Sequence, residues 1–202
     1  MHLFSISDQE PQKLNLQDAE VLYYPNFLDS AFANDSYQTL HKEIPWQQDT
    51  ITVFGKKHLQ PRLTALYGNN EIPYSYSNIT MRPLPFTFAL SEIKKRIERL
   101  TNIEFTTCLC NLYRNGKDSN GWHADDEASL GTNPVIASIS LGATRLFKFR
   151  RISDHKTQYK LALTSGSLLV MKGATQHYWQ HQLPKTAKQV GSRINLTFRV
   201  VK

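Results

Sequence analysis

Between Asn111 and Glu127 a histidine and an aspartate stand two positions apart, His123 and Asp125. On an extended chain, side chains at that spacing project to the same face. One imidazole and one carboxylate set side by side can be two ligands of a single metal ion. A distant histidine would supply the third, and spacing alone leaves both His177 and His181 open for that role. Two histidines and one carboxylate leave coordination positions free for reactants, the ligand pattern of non-haem Fe(II) oxygenases.

A second chemical signal lies near the end of the chain. From residue 193 to 200, Ile194, Leu196, Phe198 and Val200 fall on one strand face, and Arg193, Asn195, Thr197 and Arg199 on the other. If that polar face lined a cavity between two sheets, its arginines would need anionic partners, because unpaired buried charge is costly. A small dicarboxylate would meet both, since guanidinium suits bidentate carboxylate binding. The apolar face would then pack beneath helices.

The elements that must position these groups follow from periodicity. A helix is expected from a cap at Asp29 or Ser30 to about Glu43, ended by Pro45. Residues 50–58 read as a strand, a tight turn at Gly55 and a basic return, with Val53 and Phe54 either tucked into the core or placed as an apolar wedge beside Lys56, Lys57 and His58. Tyr74 and Tyr76 share one face of a short strand, where they could be half-buried strand tyrosines or could sandwich a base. Phe86 to Leu100 has helical spacing at Leu90, Ile93, Ile97 and Leu100. From Phe105 onward about eight short strands follow without intervening helices, including one over His177–His181. The expected class is α+β, a jelly roll with N-terminal helices backing one sheet. Residues 1–20 read as a polar tail or an edge strand, 21–104 as an extension with helices and nucleotide-recognition segments, and 105–202 as the jelly-roll core.

With 202 residues, the chain is long enough for one domain with a sizeable core. A net charge of +7 favours a polyanionic partner, nucleic acid first. No apolar run is long enough to span a membrane, and no signal peptide is expected at the N-terminus. Cys108 and Cys110 alternate with apolar residues and read as reduced core thiols. The expectation is a monomer in the cytoplasm, or in the nucleus of a eukaryotic host.

The motifs Asn-Leu-Tyr at 111–113, His-Ala-Asp-Asp-Glu at 123–127, Trp-Gln-His at 179–181 and Arg-Ile-Asn-Leu-Thr-Phe-Arg at 193–199 resemble those of the AlkB family of Fe(II)- and 2-oxoglutarate-dependent nucleic-acid dealkylases. The resemblance runs from about Val21 to the end. Within the family, Pro-Arg-Leu-Thr-Ala-Leu-Tyr-Gly at 61–68, Tyr-Ser-Tyr-Ser at 74–77 and Gly-Ala-Thr-Gln at 173–176 are similar to the animal DNA-repair members. The resemblance implies a double-stranded β-helix. It also implies oxidative demethylation of 1-methyladenine and 3-methylcytosine in DNA or RNA, consuming O2 and releasing formaldehyde, succinate and carbon dioxide.

Carried over by position, the metal ligands would be His123, Asp125 and His181, with His177 structural. Arg193 would take the far carboxylate of 2-oxoglutarate, and Asn111, Tyr113, Asn195 and Arg199 would complete that site. Asp126 and Glu127 would read the base, Tyr74 and Tyr76 would pack around it, and Arg62 would sit at a DNA-contacting or pocket position. Val53-Phe54-Gly55 resembles an intercalating finger. From their charge alone, Lys56, Lys57, Arg150, Arg151 and Lys156 could hold phosphates or be solvated surface charges. Two other function classes compete: an oxygenase acting on protein or a small molecule, and a non-catalytic nucleic-acid binder.

Overall fold

The computed structural model describes residues 10–53, 55–69, 74–76 and 79–202, with backbone alone at 52, 53, 74–76 and 79. In chain order the first elements are β1 (Gln12–Lys13), β2 (Glu20–Tyr24), α1 (Ser30–Glu43), β3 (Thr50–Val53), β4 (Lys56–Leu59), β5 (Leu63–Gly68), β6 (Tyr74–Tyr76) and β7 (Ile79–Met81). Then come α2 (Phe88–Thr101), β8 (Thr107–Tyr113), β9 (Asn120–His123), β10 (Ile136–Gly142) and β11 (Arg145–Arg151). The chain closes with β12 (Gln158–Leu163), β13 (Leu168–Lys172), the single turn α3 (Thr175–Tyr178), β14 (Trp179–Leu183) and β15 (Arg193–Arg199).

Two antiparallel sheets form the jelly roll. The larger has the order β1-β2-β13-β10-β15-β8-β5, and the smaller β12-β11-β14-β9. Strand β15 sits inside the larger sheet, paired with β10 and β8. Its alternation sends Ile194, Leu196 and Phe198 into a core with Leu40 of α1 and Leu90, Ile93 and Ile97 of α2. The helices therefore back the larger sheet, as the patterning predicts. Between the sheets lies a second apolar cluster that includes Leu109, Phe149, Leu169 and Met171.

Local chemistry sets the helix limits. Asp29 accepts from the Phe32 amide at 2.9 Å, which fixes the start of α1. The start of α2 falls two residues after the expected Phe86, because Thr87 is the cap and accepts from the Leu90 amide at 3.3 Å. Residues 10–20 supply the edge strand β1 and also core: Leu14 and Leu16 are buried against the second cluster. The strand expected over His177–His181 is half turn and half strand. α3 occupies Thr175–Tyr178, and pairing begins only at Trp179. The Trp179 amide donates to Thr175 O and closes that turn, and Thr175 Oγ1 donates to Lys172 O at 2.6 Å just before it.

β3 and β4 form the predicted hairpin, with Gly55 at φ +76° in its turn. Phe54 itself lies outside the described residues. β6 and β7 pair as a second small hairpin. Among the described residues no helix is long and apolar enough to cross a membrane.

Candidate active site

A cavity of about 630 Å³ opens between the two sheets. β9 and β14 pair so that His123 lies directly across from His181, and Asp125 follows just beyond the end of β9. The ligand atoms of His123, Asp125 and His181 all lie within 4.8 Å of one another. Geometry therefore selects His181 where spacing left two histidines open. His177 is exposed on α3 and bonds Asn133 Oδ1 at 2.9 Å.

Each of the three groups is held by a neighbour. His123 Nδ1 is 2.8 Å from the Gly121 carbonyl, so that nitrogen carries the proton and Nε2 keeps its lone pair. Asp125 accepts from Arg199 Nη2 at 2.7 Å, and its amide donates to Gln176 Oε1 at 2.9 Å. His181 is packed by Phe147, stacked at 5.4 Å between ring centres, and by Phe149 edge-on. Burial disfavours charge on His181, and His123 and Arg199 add to this; its pKa falls to about 3 despite Asp125. Burial also lowers that of His123. Burial raises the Asp125 carboxyl, but Arg199 and the two histidines outweigh it and hold the pKa at about 2. At neutral pH the set is two neutral imidazoles and one carboxylate, the donor state a divalent metal requires.

Asn111, Tyr113, Arg193, Asn195 and Arg199 line the same cavity from β8 and β15. Arg193 is 2% exposed. Its Nη2 donates to Ser140 Oγ at 2.8 Å and its guanidinium lies 5.4 Å from the Tyr113 ring centre. Its Nε is buried without a hydrogen-bond partner among the described residues, where no carboxylate lies within ion-pair distance. Burial brings its pKa down to about 10, so it remains charged. Arg199 is paired with Asp125, whereas Arg193 has no carboxylate within ion-pair distance among the described residues; both line the cavity.

Arg62 is buried rather than exposed to a passing strand. Its Nε donates to Asn111 Oδ1 at 2.8 Å, which places it in the cavity wall as a support for Asn111. Asp126 and Glu127 line the mouth. The side chains of Tyr74 and Tyr76, like Phe54, lie outside the description. Lys56, Lys57 and Lys156 are exposed. Arg151 is committed elsewhere, to Asp18 at 2.6 Å and Gln17 O at 3.1 Å, which corrects its reading as a phosphate contact. Gln176 was missed, although it closes the Gly-Ala-Thr-Gln motif: the motif has no chemical pattern of its own until folding brings it to Asp125.

Residues 20–199 match the family model of the 2OG-Fe(II) oxygenase superfamily. The chain belongs to the 2OG-Fe(II) oxygenase superfamily. The alpha-ketoglutarate-dependent dioxygenase alkB homolog 3 of Homo sapiens is 45% identical over 192 residues, covering 91% of this chain and 66% of that relative. The DNA oxidative demethylase ALKBH2 of Homo sapiens is 36% identical over 188 residues, covering 88% and 72%. The chain thus spans just under two thirds of the first of these. Among solved structures, that of OsALKBH1 superposes with a TM-score of 0.69 at 18% identity, covering 94% of this chain and 99% of that one, a likeness of fold. The AlkB resemblance and the jelly roll expected from sequence both hold. The superfamily's Fe(II) and 2-oxoglutarate fit the residues present: three clustered neutral-N and carboxylate donors for the metal, and a buried arginine without a carboxylate for the acid.

Proposed function

We propose that this chain is a nucleic-acid repair dioxygenase, acting as a monomer, that oxidatively demethylates 1-methyladenine and 3-methylcytosine in alkylated DNA, with RNA as a second substrate. The observation that carries this reading is the His123–Asp125–His181 cluster opening on the same cavity as Arg193, in a chain similar to proteins named for DNA oxidative demethylation. Fe(II) would be held by the cluster, and 2-oxoglutarate by Arg193 with Asn111, Tyr113 and Asn195. Bound together, and with O2 as oxidant, they would supply the chemistry that hydroxylates an N-methyl group, one oxygen atom going to the methyl carbon and the other to the succinate formed with carbon dioxide.

The chain's own residues do the rest. Gly121 O fixes the His123 tautomer, and Arg199 and Gln176 fix Asp125 from two sides. Phe147 shields His181 from water. Asp126 and Glu127 set negative charge at the mouth, where a positively charged methylated base would enter and where an exocyclic amino group needs an acceptor. A hydroxymethylated base released there collapses to formaldehyde and the repaired base without further help. The buried, unbridged thiols of Cys108 and Cys110 support a reducing compartment, cytoplasmic or, in a eukaryote, nuclear.

Succinate release tests the assignment. With Fe(II) and 2-oxoglutarate present, a 1-methyladenine oligonucleotide should stimulate it at least several-fold over the unmethylated strand. Equal release with both strands would sink the nucleic-acid reading and move the chain to another oxygenase substrate.

A further inference from the structure

The strands of the smaller sheet contain no aspartate or glutamate, yet they carry Arg145, Lys148, Arg150, Arg151 and Lys160. Two of these are accounted for: Arg145 is buried on backbone carbonyls, and Arg151 is paired with Asp18. The other three share one face. Phe149 and His181 point into the molecule, 0% and 4% exposed, so Lys148, Arg150, Gln180 and Gln182 point outward. Lys148 on β11 stands directly opposite Lys160 on β12. Directly opposed like charges destabilise a sheet. Neither lysine has a carboxylate within ion-pair distance among the described residues. Edge protection would explain a lysine on the outer strand β12 but not its partner on β11.

Arg150 reaches across β14. Its Nε and Nη2 both donate to Gln180 Oε1, at 2.9 and 2.7 Å, and its guanidinium lies 4.5 Å from the ring centre of Trp122 on β9. The stack holds the fork in place and leaves Nη1 for another acceptor. Trp122 immediately precedes His123, so β9 offers His123 to the metal cluster and the next residue back to this stack. The face therefore begins at the rim of the active cavity and runs across the sheet, roughly 14 Å from β9 to β12 at ordinary strand spacing.

We propose that this outer face binds the single strand flanking the reacting nucleotide, with its phosphates on Arg150, Lys148 and Lys160. The inference rests on the nucleic-acid reading above and deepens it. Charge complementarity favours a polyanion: cations are repeated, no acid interrupts them, and an arginine–indole stack lies at the entry.

The test compares a trinucleotide and a fluorescent 20-mer, each with a central 1-methyladenine. In wild type both should be demethylated, and the 20-mer should bind tighter. Lys148→Glu with Lys160→Glu should weaken 20-mer binding about tenfold and reduce its logarithmic salt slope by roughly 1.4, the loss of two single-strand phosphate contacts. Trinucleotide turnover should be unchanged. Lys160→Glu alone creates a cross-strand ion pair with Lys148, so it should raise Tm by roughly 1–3 °C while still weakening the 20-mer. Wild-type 20-mer affinity in the double variant would overturn the inference alone. So would equal loss on both substrates with a lowered Tm, which marks a structural role. A wild type that binds and demethylates neither would overturn this inference together with the proposed function.

Discussion

Metal-site chemistry here depends on keeping two histidines neutral. His181 is buried, and protonating it inside the fold is unfavourable, with a pKa near 3 against about 6.5 in an unfolded chain. The unfolded chain therefore binds more protons than the folded one between those values. Stability is full above about pH 6.5 and is lost as pH falls toward 3. The Tm of the metal-free protein should hold from pH 7.5 to about 6.5 and then fall toward pH 5, as stability is lost by at most about 1.4 kcal/mol per pH unit for each buried histidine. In His181→Asn, which cannot titrate, the slope should be visibly shallower; an unchanged slope would refute the assignment. At this scale the sequence was informative where chemistry is local. His123 and Asp125 are two residues apart and declare themselves. Arg62 on Asn111 and Gln176 on Asp125 are contacts between distant segments, and no spacing rule could announce them.

Elements were legible where periodicity was strong. β15 alternates cleanly because one side meets helices and the other a cavity. α2 follows its apolar spacing because Leu90, Ile93 and Ile97 share one buried stripe. α3 was misread because a single turn has no period, and its first side chain, Thr175, is anchored by Lys172 and by Glu20 far upstream. The join between α1 and the larger sheet was equally hidden. Gly166 has φ +77°, and a Cβ there would meet the Leu28 carbonyl at 2.5 Å, at the approach to the helix. Gly166→Ala should lower Tm by roughly 3–10 °C, through both the strained backbone and the forced shift. It lies away from the cavity, so kcat at low temperature should hold. A Tm change below one degree would contradict the close approach.

For the molecule as a whole, the asymmetry between sheets organises function. The larger sheet is backed by both helices and carries Arg193 and Asn111 on its inner side. The smaller one carries His123 and His181 inward, and outward Lys148, Arg150 and Lys160, with no carboxylate within ion-pair distance among the described residues. Net charge of +7 pointed to a polyanion but not to a surface; the opposed Lys148 and Lys160 of β11 and β12 are what single out the face proposed above. The central claim is removal of a methyl group from a nucleic-acid base at the His123–Asp125–His181 cluster. The most direct measurement is mass spectrometry of 1-methyladenine in single-stranded DNA, duplex DNA and RNA, with Fe(II), ascorbate and 2-oxoglutarate, for wild type and His123→Ala. The account predicts a loss of 14 mass units per methylated base in the wild type, dependent on metal and 2-oxoglutarate and abolished in the variant. Undiminished methyl content on every substrate, with iron and 2-oxoglutarate bound, would contradict it.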